Sequence, residues 1–139
     1  MKNMKSQIGI VIVTHGRLGE ALLDTCSMIT GETRGITSIS IQAGDDVEET
    51  RGRIAGAIEA VKGDKGVILL VDMFGGTPSN ISLSFLGPND IEVVTGVNLP
   101  MLTKLRSLGE DLTLREAASA LGDYGREYIK VASEYLAGD

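Results

Sequence analysis

Ile8-Gly9-Ile10-Val11-Ile12-Val13-Thr14-His15-Gly16 decides the class of fold. Its aliphatic run is β-branched and does not alternate with polar residues, the mark of a strand covered on both faces. The strand is expected over about residues 7–13. A helical pattern carried by Leu18, Ala21, Leu22 and Leu23 follows at once and is expected to fill residues 17–30. A buried strand feeding directly into a helix is the first half of a βα unit. His15, the sole histidine of the chain, falls between them, at a strand's carboxyl end and a helix's N-terminal mouth, where anions are favoured.

The same alternation runs outward from this stretch. A second strand, Ile36 to Ile41, follows the breaks at Gly31 and Gly35. Asp45, with Glu48 at capping-box spacing, is expected to open a helix running to about Val61. Val67-Ile68-Leu69-Leu70-Val71 is another continuously apolar strand, ending at Asp72. In Met73-Phe74-Gly75-Gly76-Thr77-Pro78-Ser79-Asn80, Pro78 suits the first helical position with Thr77 as its cap, for a helix reaching about Phe85. Ile91 to Thr95 is the fourth strand, and Asn98-Leu99-Pro100 opens a helix to about Leu108. Periodicity makes Thr113 to Leu136 mostly helical, interrupted at Gly122 and Gly125. No repeat, low-complexity tract or linker divides the chain, so residues 1–139 are expected to form a single domain.

Alternating βα units require a mostly parallel sheet with helices on both faces, joined by right-handed crossovers. The compact α/β arrangement at this size is doubly wound with strand order 2-1-3-4. A crevice then opens between the carboxyl ends of strands one and three, which brings together His15 and Asp72. A carboxylate accepting the Nδ1–H of an imidazole holds one tautomer and leaves Nε2 free as nucleophile or base. The glycines at 16, 75 and 76 allow close backbone approach, and Thr77 and Ser79 offer hydroxyls, a set suited to phosphoryl oxygens. A histidine nucleophile for phosphoryl transfer uses most of these residues.

Composition narrows the field. The 139 residues carry 13 basic and 19 acidic side chains, for a formal charge of −6, with no Lys/Arg cluster, which argues against a nucleic-acid or anionic-membrane surface. No apolar run of about 18 residues and no signal-peptide pattern occurs. The lone cysteine, Cys26, shares an apolar helix face with Leu22 and Ile29 and is read as core, and a cytoplasmic location is expected. No metal site and no cofactor are expected; capping and a solvated face explain Asp45, Asp46, Glu48 and Glu49. Taken alone, Asp72 fits a turn residue as well as a functional one, and Gly75-Gly76-Thr77-Pro78 fits a turn plus a helix start.

Three segments, Val13-Thr14-His15-Gly16, Val71-Asp72-Met73-Phe74-Gly75-Gly76-Thr77-Pro78-Ser79-Asn80 and Thr95-Gly96-Val97-Asn98-Leu99-Pro100-Met101-Leu102, resemble the enzyme IIA domain of the mannose-type sugar phosphotransferase system. They occur in order over nearly the whole chain. The resemblance implies a histidine that accepts phosphate on Nε2 from the carrier HPr and passes it to a IIB component, for sugar uptake through membrane IIC and IID partners. By that resemblance His15 is the phosphorylated residue, Asp72 its orienting partner and Thr77 a phosphate-binding hydroxyl. It also implies a homodimer in which a fifth, antiparallel edge strand near the C-terminus is exchanged, with Arg126-Glu127-Tyr128-Ile129-Lys130-Val131 the nearest β-branched candidate. The chain shows no fused IIB, so such partners are expected to be separate proteins or absent. Donor and acceptor must both reach His15, which makes a docking rim of Arg17, Met73, Phe74 and the Asn98 to Met101 turn; Phe74 and Met101 either serve there as exposed apolar contacts or are buried.

Rival readings stay in view. A receiver domain would phosphorylate an aspartate after strand three, and Asp72 with Thr95 imitates that pattern, but acidic metal ligands are missing after strand one. A histidine phosphatase or mutase needs a second histidine, and a nucleotide-binding module needs G-x-G-x-x-G or a P-loop after a strand, neither of which is present. The phosphotransfer subunit of dihydroxyacetone kinase shares the fold, yet the Gly-Gly-Thr-Pro and Gly-Val-Asn-Leu-Pro segments favour the sugar branch. A regulatory domain that reports phosphotransferase status without transport is the remaining alternative.

Overall fold

The computed structural model describes residues 8–31, 33–73, 75–87 and 90–138. The elements alternate as anticipated: β1 (Gly9–His15), α1 (Leu18–Thr30), β2 (Ile36–Ile41), α2 (Val47–Val61), β3 (Val67–Val71), α3 (Thr77–Leu83), β4 (Ile91–Thr95) and α4 (Leu99–Lys104). A 3-10 turn (Leu105–Ser107), α5 (Leu114–Glu127) and α6 (Ala132–Leu136) follow. The sheet has the order β2-β1-β3-β4, with every neighbouring pair parallel.

The absence of alternation in β1 and β3 has a direct cause. Successive side chains point to opposite faces, and both faces are covered. Ile10, Ile12, Ile68 and Leu70 pack on one side with Cys26 of α1, Met101 and Leu102 of α4, and Leu114, Ala117 and Leu121 of α5. Val11, Val13, Val67, Leu69 and Val71 pack on the other with Ile54 and Ile58 of α2 and Ile81 of α3. Each fully buried aliphatic side chain contributes about 1.5–3 kcal/mol. These two cores hold the central strands rigidly, and with them the strand ends that carry polar residues.

Several local expectations are corrected. β1 continues through His15, because the residues there still pair with β2 as far as Ile41. Asp46 caps α2, accepting the N–H of Glu49 at 2.9 Å, whereas Asp45 accepts the N–H of Gln42 at 2.8 Å and belongs to the preceding turn. Gly76 is the cap of α3 and Thr77 its first residue, since Gly76 keeps extended backbone angles; α3 then stops at Leu83. Ile29 is exposed although it follows Cys26 at helical spacing, because only the Cys26 side of α1 meets the sheet.

Gly122 and Gly125 do not interrupt α5. A Cβ at Gly125 would stand 3.0 Å from Met101 Cε and 3.1 Å from Asn98 Nδ2, so this glycine lets α4 and α5 approach each other. Thr113 and Glu116 form a capping box at the start of α5. The buried stripe Leu114, Ala117, Ala118, Leu121 and Gly125 keeps the helix on the sheet to Glu127. For that reason the tail makes no fifth antiparallel strand: the sheet described has four strands, and Tyr128 turns back onto Tyr124, ring centroids 4.5 Å apart.

Candidate functional site

β1 and β3 lie side by side with Val13 opposite Val71, so the residues that follow them emerge together at the mouth of the sheet. His15 is the last residue of β1, and Asp72 is the first after β3. One Asp72 oxygen, Oδ2, accepts the backbone N–H of His15 at 2.9 Å and lies 2.8 Å from its ring Nδ1. The other, Oδ1, accepts the backbone N–H of Met73 at 2.9 Å. The pairing read from strand order is therefore present, and two bonds from one oxygen to one residue hold the His15 side chain in a single rotamer.

The two side chains differ in solvent access. Asp72 retains 11% of its side-chain exposure and His15 retains 51%. Burial pushes the Asp72 carboxyl up, but the N–H and ring of His15, the ring's charge and the N–H of Met73 outweigh it and hold the carboxyl below its ordinary value. An ionised carboxylate on Nδ1 makes that nitrogen the donor and leaves the Nε2 lone pair outward. Nucleophilic attack or proton acceptance at Nε2 is the chemistry this geometry allows.

Thr14 supports the site in a way the sequence reading missed. Its hydroxyl is fully buried and accepts the N–H of Gly19 at 2.8 Å. Arg17, in the N-cap position of α1, makes no side-chain cap bond, so the cap comes from the strand. Thr14 thereby ties the end of β1, which carries His15, to the first turn of α1. The available signal was a hydroxyl in an otherwise aliphatic run.

The remaining residues divide. Gly16 continues the β1–β2 pairing by donating its N–H to Ile41 O at 2.8 Å, in a left-handed conformation with φ of +53°. Gly75 is exposed and Gly76 half-buried on the loop after β3, where Gly76 adjoins the His15 ring, and Thr77 is exposed at the start of α3. Ser79 is fully buried on α3, so its hydroxyl is not part of the mouth. Arg17 is exposed, 3.7 Å from Glu20, and Met73 is exposed as well. Phe74 lies outside the described residues.

Asn98 accepts the N–H of Met101 at 3.0 Å and donates from Nδ2 to Gly125 O at 3.2 Å, which commits it to capping α4 and joining α5. Met101 is only 2% exposed and belongs to the core. Its expected place on the docking rim is corrected: the Asn98 cap turns Met101 inward, against Gly125. Among the described residues there is no group of three or more His, Cys, Asp or Glu side chains that could hold a metal ion. No described helix is long and apolar enough to cross a membrane.

Comparison with known proteins identifies the family. Residues 9–121 match the family described as "PTS system fructose IIA component". The chain is 31% identical over 130 residues to a fructose-specific EIIA component of the phosphotransferase system from Bacillus subtilis, covering 93% of this chain and 89% of that protein. It is 34% identical over 125 residues to the mannose-specific EIIAB component of Escherichia coli, covering 88% of this chain but only 39% of that longer protein. The crystal structure of a phosphotransferase system component EIIA from Streptococcus agalactiae superposes with a TM-score of 0.79 at 26% identity, over 92% of this chain and 99% of that one. The chain thus belongs to the mannose- and fructose-type enzyme IIA family of the sugar phosphotransferase system, phosphohistidine carriers that relay phosphate within that cascade.

Proposed function

We propose that His15 is the residue that carries the phosphoryl group. The observation behind this is the 2.8 Å approach of Asp72 Oδ2 to Nδ1, which leaves Nε2 of a half-exposed imidazole as the free nitrogen. Nε2 attacks the phosphorus of phosphorylated HPr, the donor's P–N bond breaks as the new one forms, and Asp72 offsets the positive charge that develops on the ring. A IIB component then takes the phosphoryl group from Nε2 by the same displacement, for sugar uptake through membrane IIC and IID components.

Gly75, Gly76 and Thr77 are proposed to hold the phosphoryl oxygens through backbone N–H groups and the Thr77 hydroxyl, whereas Gly16, its N–H donated to Ile41 O, contributes only the turn beside His15. Arg17 and Met73 supply the exposed part of the docking rim, one for charge and one for apolar contact. Residues 1–139 act as one phosphotransfer domain in the cytoplasm, and the chain works as a homodimer whose contacts include the C-terminal tail.

The decisive experiment incubates the protein with enzyme I, HPr and labelled phosphoenolpyruvate and maps the modified residue. Label is expected on His15, acid-labile and base-stable, and absent from a folded His15→Ala variant. Label persisting in His15→Ala would overturn the assignment.

A further inference from the structure

Gly75 and Gly76 are neighbours that are glycine for different reasons. Gly75 has φ of +92°, a conformation costly for any residue with a side chain, yet nothing lies within 4 Å of where its Cβ would stand. Gly76 has φ of −93° and ψ of 175°, extended backbone open to every residue type. Space is what excludes a side chain there. A Cβ on Gly76 would stand 2.7 Å from Cε1 of His15 and 3.1 Å from Nε2, and the next nearest atom, Pro78 Cδ, is at a comfortable 3.7 Å.

We infer that Gly76 is a positioning residue for His15, whose bare Cα seats the imidazole against Asp72 and keeps Nε2 open. The ring is bounded on two edges. Asp72 Oδ2 holds the Nδ1 edge at 2.8 Å, and the Gly76 backbone closes on the Cε1–Nε2 edge. A methyl group at Gly76 has no other neighbour to displace, so the half-exposed ring must yield. Yielding outward breaks the contact with Asp72 and frees the tautomer. The consequence for transfer rests on the phosphocarrier reading above, while the consequence for the ring does not.

The test is Gly76→Ala beside Gly75→Ala, read first by nitrogen-15 spectra of the imidazole at alkaline pH, with the ring neutral. The wild type should show a protonated Nδ1 and a bare Nε2. Gly76→Ala should shift this pattern toward the Nε2–H tautomer with a melting temperature within a few degrees of wild type, and should slow phosphate transfer from HPr about 100-fold, the scale of a misplaced reacting group. Gly75→Ala should instead lower the melting temperature through backbone strain while the ring pattern stays wild-type. If Gly76→Ala folds poorly, the His15→Ala/Gly76→Ala double variant, which has no ring to strike, should recover the stability of His15→Ala alone. An unchanged ring pattern in Gly76→Ala, an equal disturbance by Gly75→Ala, or a double variant as unstable as Gly76→Ala would overturn the inference. Wild-type protein that accepts no phosphate would sink the carrier reading and leave the ring measurements to judge Gly76 by themselves.

Discussion

The mouth over β1 and β3 and the outer edge of β4 contrast in how far one chain completes them. At the mouth, both hydrogen-bonding ends of the His15–Asp72 pair come from adjacent strands buried on both faces. The edge of β4 is half-buried along its whole length. There Ile91 pairs back to Gly87, and the N–H of Val93 is taken by the carboxylate of its neighbour Glu92 at 3.0 Å. Beside it runs a groove of about 590 Å³ bordered by Glu92, Thr95, Arg115, Asp123 and Arg126, with Ile129 at one end. Just beyond, the tail exposes Ile129, Val131, Tyr135 and Leu136. The His15–Asp72 contact, which depends on two central strands, is made within one chain. An edge strand in a chain whose tail exposes apolar side chains is suited to pairing outside it.

The strongest way to break this contrast is at Asp72. Asp72→Asn removes the charge facing Nδ1 and permits the wrong tautomer, and transfer should fall by about 10²–10⁴-fold, the upper end being the cost of the analogous change in the Ser-His-Asp template. A wild-type single-turnover rate would show that the pair is not used. The same variant carries a pH signature. Asp72 has a lower pKa folded than unfolded, so its ionisation stabilises the fold above the unfolded value of about 3.9 and that contribution is lost as pH falls through the folded value. Acid titration of Asp72→Asn should lack this component of the stability slope.

Met101 sharpens the boundary between mouth and core. Met101→Ala should cost about 2–5 kcal/mol in denaturant unfolding, because the side chain fills the space between α4 and α5. Transfer per folded molecule should stay normal. Wild-type stability with slowed transfer would return Met101 to the docking rim.

The smallest expected effect tests the edge. Removing the residues after Glu127 leaves α5 intact and should shift the protein from dimer toward monomer in light scattering at micromolar concentration, with His15 still accepting phosphate. A wild-type protein that is monomeric there, unchanged by the truncation, would show that the tail has no such role.

Local pattern and chain order were enough for much of this molecule. The aliphatic runs of β1 and β3 declare burial on both faces, and the right-handed crossover rule then leaves few orders for four parallel strands. Placing His15 beside Asp72 needed nothing more. Features that failed are those in which a second element chooses between neighbouring residues. Asp45 and Asp46 are both capping types, and only the path of the preceding turn assigns Asp46 to Glu49 and Asp45 to Gln42. Cys26 and Ile29 are compatible with one helical stripe, and the sheet receives only the first. Gly122 and Gly125 look like breaks along the chain, but Gly125 lies under Met101 and Asn98 inside a continuous helix.

The linear chain thus carries the parallel βα architecture, the strand that delivers His15 and the identity of its carboxylate partner, because hydrophobic periodicity and strand chirality act over a few residues at a time. Packing alone decided that Met101 turns inward, that Thr14 caps α1 from a strand, and that Gly76 stands against the imidazole of His15. Those outcomes depend on the distance at which two separately formed surfaces meet, and no periodicity along one of them encodes that distance.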